Sequence, residues 1–242
     1  MSHRDEVAGR IMVALDYPNV DQARELLQQL QGIPCYMKVG MQLYYAEGPA
    51  FVRELKELGY KVFLDLKLHD IPNTVKSGAN SITKLGVDMI NVHAAGGVEM
   101  MAAAMKGVEE ALQENPALDK PIVIAVTQLT STSQQMLNEE IGIPGAVADA
   151  VVHYAKLTKQ AGLDGVVASP LEVEMIKAAC GNEFKTITPG IRPAGSAKGD
   201  QTRVMTPKQA LTEGTDFIVI GRPITTAANP REAIENIIEE LI

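Results

Sequence analysis

The 242-residue sequence contains no tryptophan, and aromatic residues make up only 4% of it. So few rings argue against a platform on which successive nucleic-acid bases stack. Cations are the minority charge, 22 Lys and Arg against 30 Asp and Glu, for a net charge of −8. That balance does not suit nucleic acid or another polyphosphate as a general partner, but it leaves room for a local basic site that takes one small phosphate. Only two cysteines occur, Cys35 and Cys180. They are far apart and lack any metal-type spacing, so they read as reduced thiols of a cytoplasmic protein; nothing in their placement supports a disulfide. No apolar run approaches the length of a membrane span, and the charged first ten residues show no signal-peptide stretch.

What is present points to a folded α/β protein. Hydrophobic residues make up 46% and charged residues 21%, ordinary for a globular chain. Short, mostly continuous apolar runs predict strands at 11–15, 35–39, 62–67, 89–93, 122–127, 165–168, 186–188 and 217–220. Continuous rather than alternating apolar character is expected of parallel strands buried on both faces. Helical periodicity fills the gaps, at 20–30, 49–58, 74–85, 98–112, 146–160, 171–179, 206–212 and 230–241. Gly59, Gly86, Gly162 and Gly214 stand where four of these helices stop, positions that favour a residue free to adopt positive φ. Strict β–α alternation implies a parallel sheet covered by helices. Eight units in a chain of this length predict a single-domain (β/α)₈ TIM barrel over residues 1–242, with a doubly wound open sheet as the competing architecture. Two loop-like stretches, 130–144 and 193–203, follow strand ends, and in a barrel those loops build the active face.

The densest chemical signal is Asp65-Leu66-Lys67-Leu68-His69-Asp70-Ile71-Pro72-Asn73-Thr74. On a strand Asp65 and Lys67 share one face, while Leu64, Leu66 and Leu68 share the other. The helix-covered face of a barrel strand is apolar, so the two charges point inward near the C-terminal mouth. Burying them is costly unless they are paired. Lys38, on the preceding strand, is expected within reach of Asp65, and Asp70 follows just beyond the strand. The four make a proposed alternating array: Lys38, Asp65, Lys67, Asp70. A lone Asp-x-Lys reads equally well as a salt bridge that fixes the mouth; four charges on neighbouring strand ends favour chemistry. Asp16 ends strand one and faces the same mouth, suited to a sugar hydroxyl or to capping a turn. Gly221 and Arg222 follow strand eight, and Arg192 follows strand seven. Loops there often hold phosphate, with glycine admitting close backbone N–H groups and arginine a fork of donors. His93, at the end of strand four, reads as a hydrogen-bonded interior residue. No His or carboxylate cluster has convincing metal spacing.

At these motifs the chain closely resembles the orotidine 5′-monophosphate decarboxylase family of bacterial type, from Ile11 to the end. The marker Asp-x-Lys-x-x-Asp followed by Ile-Pro-x-Thr stands at Asp65–Thr74, and Leu15-Asp16, Lys38-Val39-Gly40, Thr188-Pro189-Gly190-Ile191-Arg192 and Gly221-Arg222-Pro223 agree with it in order. The resemblance implies a cofactor-free decarboxylation that yields uridine monophosphate. It makes Lys67 the proton donor, sets Asp65 beside the departing carboxylate, and gives the ribose hydroxyls to Lys38 and Asp16. Thr130 would meet the pyrimidine edge, and Gln201, Gly221 and Arg222 the phosphate, with Arg192 nearby. It also implies a homodimer in which Asp70, Ile71 and Thr74 reach the partner's site, and a closing loop at 193–203. A magnesium-dependent sugar-phosphate decarboxylase or synthase shares much of the pattern and is the alternative; it requires a further metal-binding carboxylate, for which there is no clear candidate.

Overall fold

The computed structural model describes residues 2–194 and 205–242. Eight parallel strands close a barrel in sequence order: β1 (Ile11–Ala14), β2 (Tyr36–Gly40), β3 (Lys61–Leu68), β4 (Met89–His93), β5 (Ile122–Val126), β6 (Gly165–Val167), β7 (Lys185–Thr188) and β8 (Phe217–Ile220). β8 pairs with β1 to complete the ring, Met12 opposite Val219. The open doubly wound sheet is thereby excluded.

The helices are α1 (His3–Ala8), α2 (Val20–Leu30), α3 (Met41–Glu57), α4 (Pro72–Thr83), α5 (Gly97–Glu114), α6 (Val147–Gln160), α7 (Val173–Cys180), α8 (Pro207–Thr212), α9 (Arg222–Thr225) and α10 (Pro230–Leu241). Gly59, Gly86, Gly162 and Gly214 all adopt positive φ, as their helix-stopping positions require. Besides the short α9 after β8, three features were not expected. α1 forms on a capping box between Ser2 and Asp5, which satisfies its first backbone donors without the long apolar pattern that marks a helix. α3 begins at Met41 rather than 49, because Gly48 (φ 66°, ψ −162°) kinks the helix and joins a second helical segment to the expected one. The 130–144 stretch carries a π-helical turn at Met136–Glu140.

The strands sort their side chains into two cores. Met12, Ala14, Tyr36, Phe63, Met89, Ile124, Ile187 and Val219 pack inside the barrel. Their neighbours Ile11, Val13, Met37, Val39, Val62, Leu64, Ile90, Val92, Val123, Ile218 and Ile220 pack outward beneath the helices. Both faces are buried, which is why the runs are continuously apolar.

At the N-terminal end of the barrel three carboxylates tie strands in pairs. The backbone N–H of Val62 donates to Asp88 at 2.7 Å, that of Val123 to Asp164 at 2.7 Å, and that of Thr186 to Asp216 at 2.8 Å. Each Asp stands just before an even-numbered strand and holds the odd-numbered strand before it. Before β2 the equivalent place is taken by Cys35, and Arg10 instead donates to the carbonyls of Thr215 and Asp216.

Candidate active site

The alternation that fills the lower barrel with apolar side chains puts charge at its upper end. Above Tyr36 on β2 comes Lys38; above Phe63 on β3 comes Asp65. The Lys38 ammonium lies 3.3 Å from Asp65 Oδ2 and 3.3 Å from Asp16 Oδ1, and the Lys67 ammonium lies 2.6 Å from Asp65 Oδ1. The continuous chain of charges is therefore Asp16–Lys38–Asp65–Lys67. Lys38 and Asp65 are each only 8% exposed, so the inner pair relies on mutual attraction and hydrogen bonds for its solvation. Burial alone would depress the Lys38 pKa, but Asp65 and Asp16 outweigh it and hold the ammonium above its usual value. Burial likewise would raise Asp65, yet Lys38, Lys67 and the Asn91 amide keep it below the usual carboxylate range. Both groups are thus held charged.

These residues form the floor of a cavity of about 730 Å³ at the C-terminal mouth, within the size range of small-molecule sites. Its walls bring Thr130, Arg192, Gly221 and Arg222 to the same space. Gly190 turns the chain after β7 with φ 80°, and the Arg192 side chain donates to the carbonyl of Ile191 at 2.9 Å. Tyr17 donates to the Thr225 carbonyl at 3.1 Å, fastening the loop after β1 to the short helix after β8. Anion donors on one wall and the charge chain on the floor suit a molecule with phosphate at one end and a reacting centre at the other.

The model of the orotidine 5′-phosphate decarboxylase / HUMPS family matches residues 9–237. The chain belongs to that family. It is 56% identical over 227 residues to orotidine 5′-phosphate decarboxylases of Bacillus cytotoxicus and Bacillus mycoides, covering 94% of this chain and of each relative. Among solved structures, it is similar to orotidine 5′-phosphate decarboxylase from Lactobacillus acidophilus, with TM-score 0.85, 41% identity, and coverage of 96% of this chain and 98% of the other. An uncharacterized conserved protein from Geobacillus kaustophilus matches with TM-score 0.85 and 44% identity, over 96% of this chain and all of that one.

In this member of the orotidine 5′-phosphate decarboxylase / HUMPS family, eight of the residues singled out from sequence line one cavity: Asp16, Lys38, Asp65, Lys67, Thr130, Arg192, Gly221 and Arg222. Asp70 stands apart. It is exposed, its carboxylate accepts from the N–H of Ile71 at 2.7 Å, and among the described residues it makes no ion pair. Ile71 is 67% exposed and lines, with Asp70 and His69, a shallow depression outside the cavity. Thr74 is exposed in the first turn of α4. Gln201 lies outside the described residues, as does most of the 193–203 loop. No group of three or more His, Cys, Asp or Glu among the described residues is arranged to hold a metal ion. No helix among them is long and apolar enough to cross a membrane.

Two features of the site escaped the sequence reading. Lys67 has φ +53°, the one non-glycine residue with positive φ among those described. Asn91, on β4, is 1% exposed and hydrogen-bonds to both Asp65 and the Lys67 backbone. The signal for Asn91 was available: a polar residue between Met89 and His93, on the inward face of an otherwise apolar run. His93 lies with His69, ring centroids 5.5 Å apart. Burial first, then His69 and Lys67, push its pKa below the usual histidine value.

Proposed function

We propose that this chain decarboxylates orotidine 5′-monophosphate to uridine 5′-monophosphate and CO₂ in pyrimidine nucleotide synthesis. The observation that carries the reading is the Asp16–Lys38–Asp65–Lys67 chain on the floor of the phosphate-ready cavity, in a chain 56% identical to named decarboxylases. When the ring carbon–carboxylate bond breaks, CO₂ leaves and the electron pair stays on a carbon with no good electron sink. A fixed ammonium at that carbon stabilises the pair and then supplies the proton that forms the new C–H bond. Lys67 takes this role. Asp65 orients Lys67 and denies the substrate carboxylate a more favourable position. Lys38 and Asp16 hold the ribose hydroxyls, Thr130 the pyrimidine edge. Gly221 and Arg222, with Arg192 and Gln201, hold the phosphate. Binding energy from that remote group orients the ring over the charge chain.

The reading includes a homodimer working in the cytoplasm. The exposure of Ile71 and the separation of Asp70 from its own subunit's charge chain support a second subunit that covers the one and uses the other; Thr74 belongs to the same surface. The test is the loss of orotidine monophosphate absorbance with purified protein in excess chelator. Turnover is expected to persist. Turnover that vanishes and returns with magnesium would favour the sugar-phosphate alternative, and no turnover under either condition would end the proposal.

A further inference from the structure

β3 and β4 fall out of register at the reacting pair. Leu64 pairs with Ile90 and Leu68 with Val92, so three β3 residues, Asp65, Leu66 and Lys67, face the single β4 residue Asn91. Such a bulge costs the longer strand its ladder partners. The Lys67 N–H recovers one from a side chain: it donates to Asn91 Oδ1 at 2.8 Å. The other end of the same amide donates from Nδ2 to Asp65 Oδ1 at 2.7 Å, the oxygen that also meets the Lys67 ammonium at 2.6 Å. Reversing the amide would set NH₂ against N–H and carbonyl against carboxylate, so its orientation is fixed by its partners.

We infer that Asn91 is the positioning residue of the reacting pair. Its acceptor end holds the Lys67 backbone in the left-handed conformation, and its donor end fixes the rotamer of Asp65. One buried amide thus sets both where the ammonium starts and where it points. The requirement is for an acceptor and a donor at the two ends of one short planar group. Alanine offers neither. An ionised aspartate offers the acceptor but repels Asp65, whereas a protonated aspartic acid offers both, accepting through C=O and donating through O–H.

The test rests on the decarboxylase reading, so the unsubstituted protein is assayed beside the variants. If the parent itself does not turn over orotidine monophosphate, that reading fails; an active parent isolates the test of Asn91. In Asn91→Ala, kcat is expected to fall by roughly ten- to a hundredfold, the effect of losing a hydrogen bond to a charged group. Binding of uridine monophosphate, held largely through its phosphate, is expected to change by less than about threefold, which also reports that the variant is folded. In Asn91→Asp, the charged and titratable groups around the new carboxyl are Asp65 and Lys67 of β3, Lys38 of β2 and His93 at the end of β4. Taking activity relative to the parent at each pH removes their shared effects, and that ratio is expected to rise as the medium is made more acid. Turnover of Asn91→Ala within about twofold of the parent would overturn the inference, as would equal losses of turnover and product affinity. Should Asn91→Ala not fold, a ratio for Asn91→Asp that stays flat with pH would overturn it alone.

Discussion

Replacing Lys67 by alanine and, separately, by glycine should separate what its ammonium does from what its backbone endures. Both variants lose the 2.6 Å contact to Asp65, and both leave Asp65 with Lys38 at 3.3 Å and Asn91 at 2.7 Å. The electrostatic loss is therefore common to the two and cancels between them. What differs is the Cβ, held at φ +53°. For a residue with a Cβ, the left-handed region is unfavourable by about 1–2 kcal/mol. Glycine escapes that but gives up about 0.4–1 kcal/mol through its freer unfolded chain. The net expectation is a glycine variant more stable than the alanine variant by about 1 kcal/mol, or about 2–4 °C in Tm for a chain of this size. Urea unfolding of the two, at matched protein concentration and with equal m-values, measures the difference. Turnover should fall to the assay floor in both. If alanine at this position proves as stable as glycine, Lys67 is not held under backbone strain. If either variant keeps near-normal turnover, Lys67 is not the proton donor.

Other outcomes follow from the same geometry. Arg222→Ala should weaken uridine monophosphate binding by roughly tenfold or more, the scale of a charge-assisted contact, while kcat at saturating substrate falls less; unchanged product affinity in titration calorimetry would remove Arg222 from the phosphate site. When inactive Lys67→Ala and Asp70→Ala chains are unfolded, mixed and refolded, random pairing puts both lesions in one site of each hybrid dimer and neither in the other, so about one quarter of all sites should be active. No recovery despite demonstrated hybrids would return Asp70 to its own subunit. Because the Asp65 pKa is held below its unfolded value, its stabilising contribution is complete above the ordinary carboxylate range and lost as pH falls through the folded value. The stability gap between the parent and Asp65→Asn should accordingly narrow in acid, and unfolding midpoints that stay a constant distance apart would contradict the assignment.

The barrel was legible because its signals are local and repeated: eight continuous apolar runs, and glycines where four helices stop. The inward pairing of Asp65 with Lys67 followed from the two-residue period of a strand. Less visible was anything created by two strands together. The register slip opposite Asn91 leaves no mark in β3 itself, and the positive φ of Lys67 is not readable from a lysine. The charge array was expected as Lys38, Asp65, Lys67 and Asp70, whereas within one chain it runs Asp16–Lys38–Asp65–Lys67. Periodicity places Asp70 just past the strand, but it does not say that the turn there lets its carboxylate fold back on the N–H of Ile71.

Asp88, Asp164 and Asp216 carry a consequence for dividing the molecule. Each joins an odd strand to the even strand that follows, and Asp88 and Asp216 also accept from Lys56 of α3 and Lys177 of α7, so β3–β4, β5–β6 and β7–β8 are tied units at their base. A cut in the 115–121 connection, between β4 and β5, leaves all three carboxylates in the same fragment as the N–H they hold; a cut between β3 and β4 strands Asp88 away from Val62. The first division also keeps Asp16, Lys38, Asp65, Lys67 and Asn91 in one half and Arg192 and Arg222 in the other. Two fragments made this way would each carry one chemical competence, charge array or anion grip, and recover the whole cavity only by rejoining along the β4–β5 and β8–β1 edges.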